Sequence, residues 1–170
     1  MDKKLSDFQL YGFLFTGILG SFLHFLYDLT GENKIAALFS AINESTWEHM
    51  KLLFFPMVIF ALIEYHYIGK DYRSFWCVKL IGIITGLILI PIFFYTIGGV
   101  FGKTPDFINI AIFFVSAALA YLFETKLLIK NAVTCKYSTP AKLTLLLIAA
   151  AFWAFTFLPP ELPIFAAPAS

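Results

Sequence analysis

His24, Asp28, Glu44, Glu48 and His49 carry the side-chain types that bind metals and move protons, and they fall within 26 residues of one another, with Ser21 just ahead of them. Gly17, Ser21, His24 and Asp28 are spaced i, i+4, i+7 and i+11, which puts them on one side of a helix. A second helix begins after Asn43, in the run NESTWEHMKLLFFPMVIFALI, and brings Glu44, Glu48 and His49 close to its start. If the two helices are antiparallel neighbours, Asp28 with Glu44 forms an outer layer. His24 with Glu48 or His49 forms an inner one, about 5–6 Å deeper.

Imidazole and carboxylate donors suit zinc, manganese or iron without selecting among them. The expected ligands are His24, Asp28, Glu48 and His49, with Glu44 as the proton shuttle and Ser21 as a nucleophile or hydrogen-bond partner. Asn43 is a cap or site residue, Trp47 sits beside the cluster, and Asn109 is a partner for His24. No H-E-x-x-H motif is present, and adjacent Glu48 and His49 diverge by about 100° on a helix, so the reading rests on placement. The structural alternative is that Asp28 and Glu44 are solvated, Glu48 pairs with Lys51 at i+3, and Trp47 lies in an aromatic belt.

The elements that would position these residues are membrane spans. The chain has 170 residues, of which 60% are hydrophobic and 14% charged, with a mean hydropathy of +0.83. Soluble domains carry roughly a quarter charged residues. The apolar residues come in blocks near the ~20 needed to cross ~30 Å of hydrocarbon. Spans are expected at 8–29, 45–67, 75–97, 105–129 and 141–158, followed by a proline-rich tail at 159–170. That is an all-α, polytopic bundle forming a single membrane domain over 1–170. The piece IAALFSAI, residues 35–42, is too short to span and is expected to be interfacial or re-entrant. Ser45 followed by Glu48 matches a capping box, and Pro56 and Pro91 are expected to kink their helices.

Lysine and arginine excess marks the cytoplasmic side. Nine of the twelve, from Lys3 to Lys142, collect at the N-terminal end, with Lys34, Lys51 and Lys103 opposite. The expected topology is N-terminus inside, in the cell membrane, with the His24 cluster outside. Glu64 and His66, and Glu124 with Lys126 and Lys130, are expected at solvated helix ends. Cys77 and Cys135 have no neighbouring cysteine at ligand spacing and read as isolated thiols on the reducing side. Basic residues are scattered and the net charge is only +1, which gives no nucleic-acid surface. The partners expected are the lipid bilayer and a second copy packed through glycine faces such as Gly82 and Gly86.

HFLYDLTGEN and LFSAINESTWEHMKLLFFPM resemble an uncharacterised prokaryotic family of small integral membrane proteins, a domain of unknown function, over about Gly12 to Pro160. The resemblance implies a multi-span topology and membership of the family pattern for His24, Asn43, Glu44, Trp47, Glu48 and His49, and it implies no activity. A second, weaker likeness is to intramembrane metal hydrolases of the alkaline ceramidase and adiponectin-receptor type, limited to Ser21, His24 and Asp28. Two functions from different classes remain open: a metal-dependent membrane hydrolase of a lipid-like substrate, and a non-enzymatic small transporter or accessory subunit.

Overall fold

The computed structural model describes residues 3–102 and 105–167; Lys103 and residues 168–170 of the expected tail lie outside them. The chain forms α1 (Lys3–Leu29), a one-turn α2 (Lys34–Ala37), α3 (Thr46–Tyr67), α4 (Phe75–Phe101), α5 (Asp106–Ile129) and α6 (Thr139–Phe157). Short 3-10 turns at Gly69–Asp71 and Pro163–Phe165 follow α3 and α6. No strand occurs among the described residues. Five of these helices are long and apolar enough to cross a membrane, so the chain is an all-α membrane protein. Leu14, Ile18, Phe22, Ile88 and Leu146 are exposed, as lipid-facing side chains must be.

Helix ends follow local chemistry. The Ser45 hydroxyl accepts from the Glu48 backbone N–H (3.3 Å) and starts α3 as the capping spacing requires. The other half of the box is replaced: the Ser45 N–H goes to the Asn43 side-chain oxygen (2.9 Å). α1 closes through Gly31, whose φ of 67° leaves its N–H on Asp28 O and sends the Glu32 N–H to Tyr27 O, a Schellman arrangement. Pro56 and Pro91 lie inside α3 and α4, and both helices continue through them.

α3 is the central helix: 61% of its most apolar stretch is buried, against 28–39% in the other spans. α1 packs on α3 and α5, and α4 packs on α3, α5 and α6. The close-packing face of α1 is shifted from the expected one: Gly17 is buried against Phe114, but Asp28 is exposed. Gly12, Thr16 and Gly20 are buried at i, i+4 and i+8, and the series arrives at His24, whereas Ser21 is exposed. A side chain at Gly12 would meet the rings of Tyr121 and Phe60, and one at Gly20 would meet Phe113 and the Leu52 carbonyl. Bulk on the neighbouring helices therefore selects the face, which small residues on α1 alone cannot do. Gly82 is likewise filled by the Glu124 side chain, and Gly86 by Leu53 and Ala120. These glycine faces are closed within one chain.

Cys77, in the first turn of α4, and Cys135, in the connection from α5 to α6, are joined in a disulfide with a Cα–Cα distance of 6.4 Å. This corrects the expectation of isolated thiols. The pairing spans 58 residues and comes from the return of α5 alongside α4, which sequence spacing does not display.

Two outcomes follow from this packing. Gly20→Ala is expected to destabilise the bundle by about 1–3 kcal/mol through overpacking, while Gly98→Ala, which faces open space, is not. Reversible unfolding in mixed detergent micelles measures both. Purified protein prepared without reductant is expected to resist maleimide labelling and to take up two labels after reduction; two labels before reduction would exclude the bridge.

Candidate metal site and buried ion pairs

The chain leaves α1 through the Gly31 turn and passes α2, so the N-terminus of α3 returns beside the end of α1. His24 in α1, Glu44 just before α3 and His49 in its first turns then converge. One ligand atom from each lies within 4.8 Å of the others. His24 Nε2 is 3.8 Å and His49 Nε2 3.4 Å from the two Glu44 oxygens. Two bonds of about 2.1 Å at a tetrahedral angle place donors about 3.4 Å apart; the His49–Glu44 pair meets this, and the set as a whole, within 4.8 Å, must close to hold an ion.

The tautomer of His49 follows from its partner. Its Nδ1 lies 2.9 Å from the Ser45 carbonyl oxygen, which can only accept, so Nδ1 carries the proton and the neutral ring presents a lone pair at Nε2. This is the outer support that metal-ligating histidines commonly have. Asn43 supports the same turn through Ser45. The His24 ring lies 5.4 Å from that of His49 between centroids, and its Nδ1 has no hydrogen-bond partner among the described residues. The histidine side chains are mostly buried, at 28% and 22% exposure, while Glu44 is 65% exposed, leaving the cluster open to the membrane surface.

Glu48 does not join them. It is buried, with Oε2 2.6 Å from Lys51 Nζ and accepting from the Ile42 N–H (3.1 Å), and with Oε1 accepting from the Thr156 hydroxyl (3.1 Å). Lys51 also donates to Ala37 O (2.7 Å) and to Thr156 (2.9 Å). Every charge-bearing atom in this pair is satisfied, which is why Glu48 serves structure. The helical turn that aims His49 at α1 aims Glu48 at α6 and the α2 connection. Residues 35–42 are therefore tied into the bundle by Lys51, with Ala36, Ala37 and Ala41 buried.

The other expected residues separate. Asp28 is exposed and outside the converging set, as is Ser21. Trp47 packs on Phe152, Phe155 and Phe165, holding the Pro163–Phe165 turn against α3. Asn109 is half-buried near the start of α5. Beside Met50, the residue after His49, an apolar groove of about 530 Å³ runs along α4 past Leu87, Pro91 and Tyr95.

A second polar cluster lies toward the opposite end of the bundle, where sequence reading placed solvated helix ends. Glu64 and Glu124 are each 0% exposed and Lys79 is 2% exposed. Lys79 Nζ bridges them at 2.5 and 2.6 Å, and Gln9 donates its amide N–H to Glu64 (2.8 Å). Tyr121 and Thr16 share a buried hydrogen bond of 2.9 Å on the same helices as Glu124 and Gln9. The correction has a physical cause: Glu64, Lys79 and Glu124 lie three to five residues inside their helices, on the faces where α3, α4 and α5 pack together and close over them.

A family model described as "Family of unknown function (DUF6512)" matches residues 2–170. The chain belongs to this family. No curated protein and no solved structure matches the chain. DUF6512 membership agrees with the multi-span bundle, and what the His24 cluster does rests on its own geometry.

Lys51→Met strands the buried Glu48 carboxylate and is expected to cost about 3–5 kcal/mol of stability. The Glu48→Gln, Lys51→Met double variant is expected to lose less than the sum of the single changes. A double-mutant cycle of micellar unfolding measures the difference.

Proposed function

We propose that this DUF6512 protein is a membrane-embedded, metal-dependent hydrolase of an amphipathic, lipid-like substrate. It would act at the membrane face that carries His24, Glu44 and His49. The observation that carries the reading is the convergence of two imidazoles and one carboxylate, with His49 held in its ligating tautomer by Ser45. Two histidines and a glutamate are a ligand set used by catalytic zinc, which keeps a further position open. An ion held there lowers the pKa of a bound water to about 7.

In this reading His24, His49 and Glu44 would hold a divalent ion, which would supply net positive charge to polarise an ester or amide carbonyl. Asp28, exposed on α1 one turn beyond His24, is the carboxylate left to exchange protons with solvent. Glu44 thus passes from shuttle to ligand, and Asp28 the other way. The open apolar groove between Met50 and α4 supports a hydrocarbon chain lying on the neighbouring face of α3, although none of the three ligand residues lines it. The lysine and arginine distribution favours the outer membrane face for this site, while the Cys77–Cys135 disulfide at the opposite end favours the reverse orientation. A transporter is the competing reading, favoured by the buried Glu64, Lys79 and Glu124.

Elemental analysis of protein purified from zinc-supplemented medium, without chelator, tests the site. The expected result is one zinc per chain in the wild type and in Glu48→Gln, lost in His24→Ala and His49→Ala. No metal in the wild type would overturn the reading. Metal without turnover in a screen of lipid esters and amides would overturn the hydrolase and leave a metal-handling membrane protein.

A further inference from the structure

The two buried ionic clusters differ in their charge balance. At one end Glu48 faces Lys51, one carboxylate to one ammonium, with all four remaining hydrogen bonds supplied by Ile42, Ala37 and Thr156. At the other end two carboxylates, Glu64 and Glu124, share the single ammonium of Lys79. Fully ionised, that site carries an uncompensated negative charge among side chains no more than 2% exposed. An unbalanced charge in a bundle surrounded by hydrocarbon is expensive. Carboxyl groups forced together avoid it by retaining a proton between them.

Among the described residues the surroundings supply no other compensating cation. Facing the site are Gln9 from α1, Glu64 from α3, Lys79 from α4, and Glu124 and Tyr121 from α5, of which only Lys79 is positive. The nearby α6 lysine, Lys142, is exposed and lies over the Tyr65 and Trp76 rings. The ammonium occupies one oxygen of each carboxylate. Glu124 Oε1 is left buried without a hydrogen-bond partner among the described residues, and so is Gln9 Oε1. A carboxylate oxygen buried with no donor facing it holds its charge at high cost, and a proton on that carboxyl removes the charge.

We propose that Glu64, Lys79 and Glu124 form a proton-binding site in which the two carboxyl groups share one proton at neutral pH, separate from the His24 site and beyond the hydrolase reading. Lys79 remains charged and pairs with whichever carboxylate is ionised. Gln9 holds Glu64 in place. Gly82 makes the arrangement fit, since a side chain there would occupy the position of the Glu124 carboxyl. The Tyr121 hydroxyl, one turn inward from Glu124 and bonded to Thr16, extends the polar interior toward the middle of the bundle.

Infrared spectroscopy of the protein in lipid bilayers at neutral pH tests the proposal through the carbonyl band of a protonated carboxylic acid. The wild type is expected to show one such group per chain, with a downshift in heavy water. Glu64→Gln and Glu124→Gln are isosteric with the protonated form and keep the packing. In either variant the remaining carboxylate matches Lys79 one to one, so the band is expected to vanish from both. Glu48→Gln is expected to retain it. Absence of the band from the wild type would overturn the proposal, pointing to a bound metal cation if sodium or potassium then proves necessary for stability. Persistence of the band in Glu64→Gln would also overturn it, because the proton would then belong to Glu124 alone.

Discussion

Inside a bundle surrounded by hydrocarbon, an ammonium group must find its counter-charge on another helix, and Lys79 finds two. Its bridge from α4 to Glu64 of α3 and Glu124 of α5 joins three spans at one point, with Gln9 bringing in the fourth. Apolar packing holds no preferred rotation for a helix that is hydrophobic all round, and α3 and α4 are of that kind. Buried charges supply the missing rotational information, because each must face its partner or remain unsatisfied. The glycines act with them: Gly82 gives Glu124 its room, and Gly12 and Gly20 admit the rings of Tyr121 and Phe113.

The same principle works at the other end. Glu48 and Lys51 fasten the α2 connection to α3 and α6, fixing where the chain enters α3. Ser45 and Asn43 shape the entry itself, so Glu44 and His49 are held on a turn whose backbone is already bonded. His24 arrives from α1 at the end of the Gly12, Thr16, Gly20 series. The candidate metal site is thus an exposed product of buried interactions, and its half-buried histidines sit on rigid helices while Glu44 alone is well exposed.

Span number and approximate bounds were legible because hydropathy and helix length are local properties, and Ser45 declared the start of α3 through its capping spacing. His24, Glu44 and His49 could be nominated because they stand at the ends of neighbouring spans. What could not be read is rotation. Glu48 and His49 are adjacent in sequence, and choosing which one faces α1 required knowing that Ile42, Ala37 and Thr156 waited for Glu48 and Lys51. The face of α1 was only partly legible for the same reason: Gly17 does pack, against Phe114, but Ser21 does not, and the rings of α5 and α3 select Gly12 and Gly20 in addition. Cys77 and Cys135, and the Glu64, Lys79 and Glu124 cluster, are contacts between residues far apart in the chain, which periodicity does not record.

The bridge from Cys77 to Cys135 closes a loop that contains α4 from its third residue onward and the whole of α5, and with them both Lys79 and Glu124. Each of these residues alone would burden its helix on entry into a bilayer, by up to roughly 2.5–3.5 kcal/mol for a charged side chain at the centre of a span. Tied together at their shared end, the two helices are a covalent hairpin that carries its own neutralising pair. Once closed, the hairpin can leave or rejoin the bundle only as a unit, so α4 never faces lipid with Lys79 far from a carboxylate. The cysteines thereby keep Lys79 and Glu124 within reach of each other whatever the rest of the bundle does.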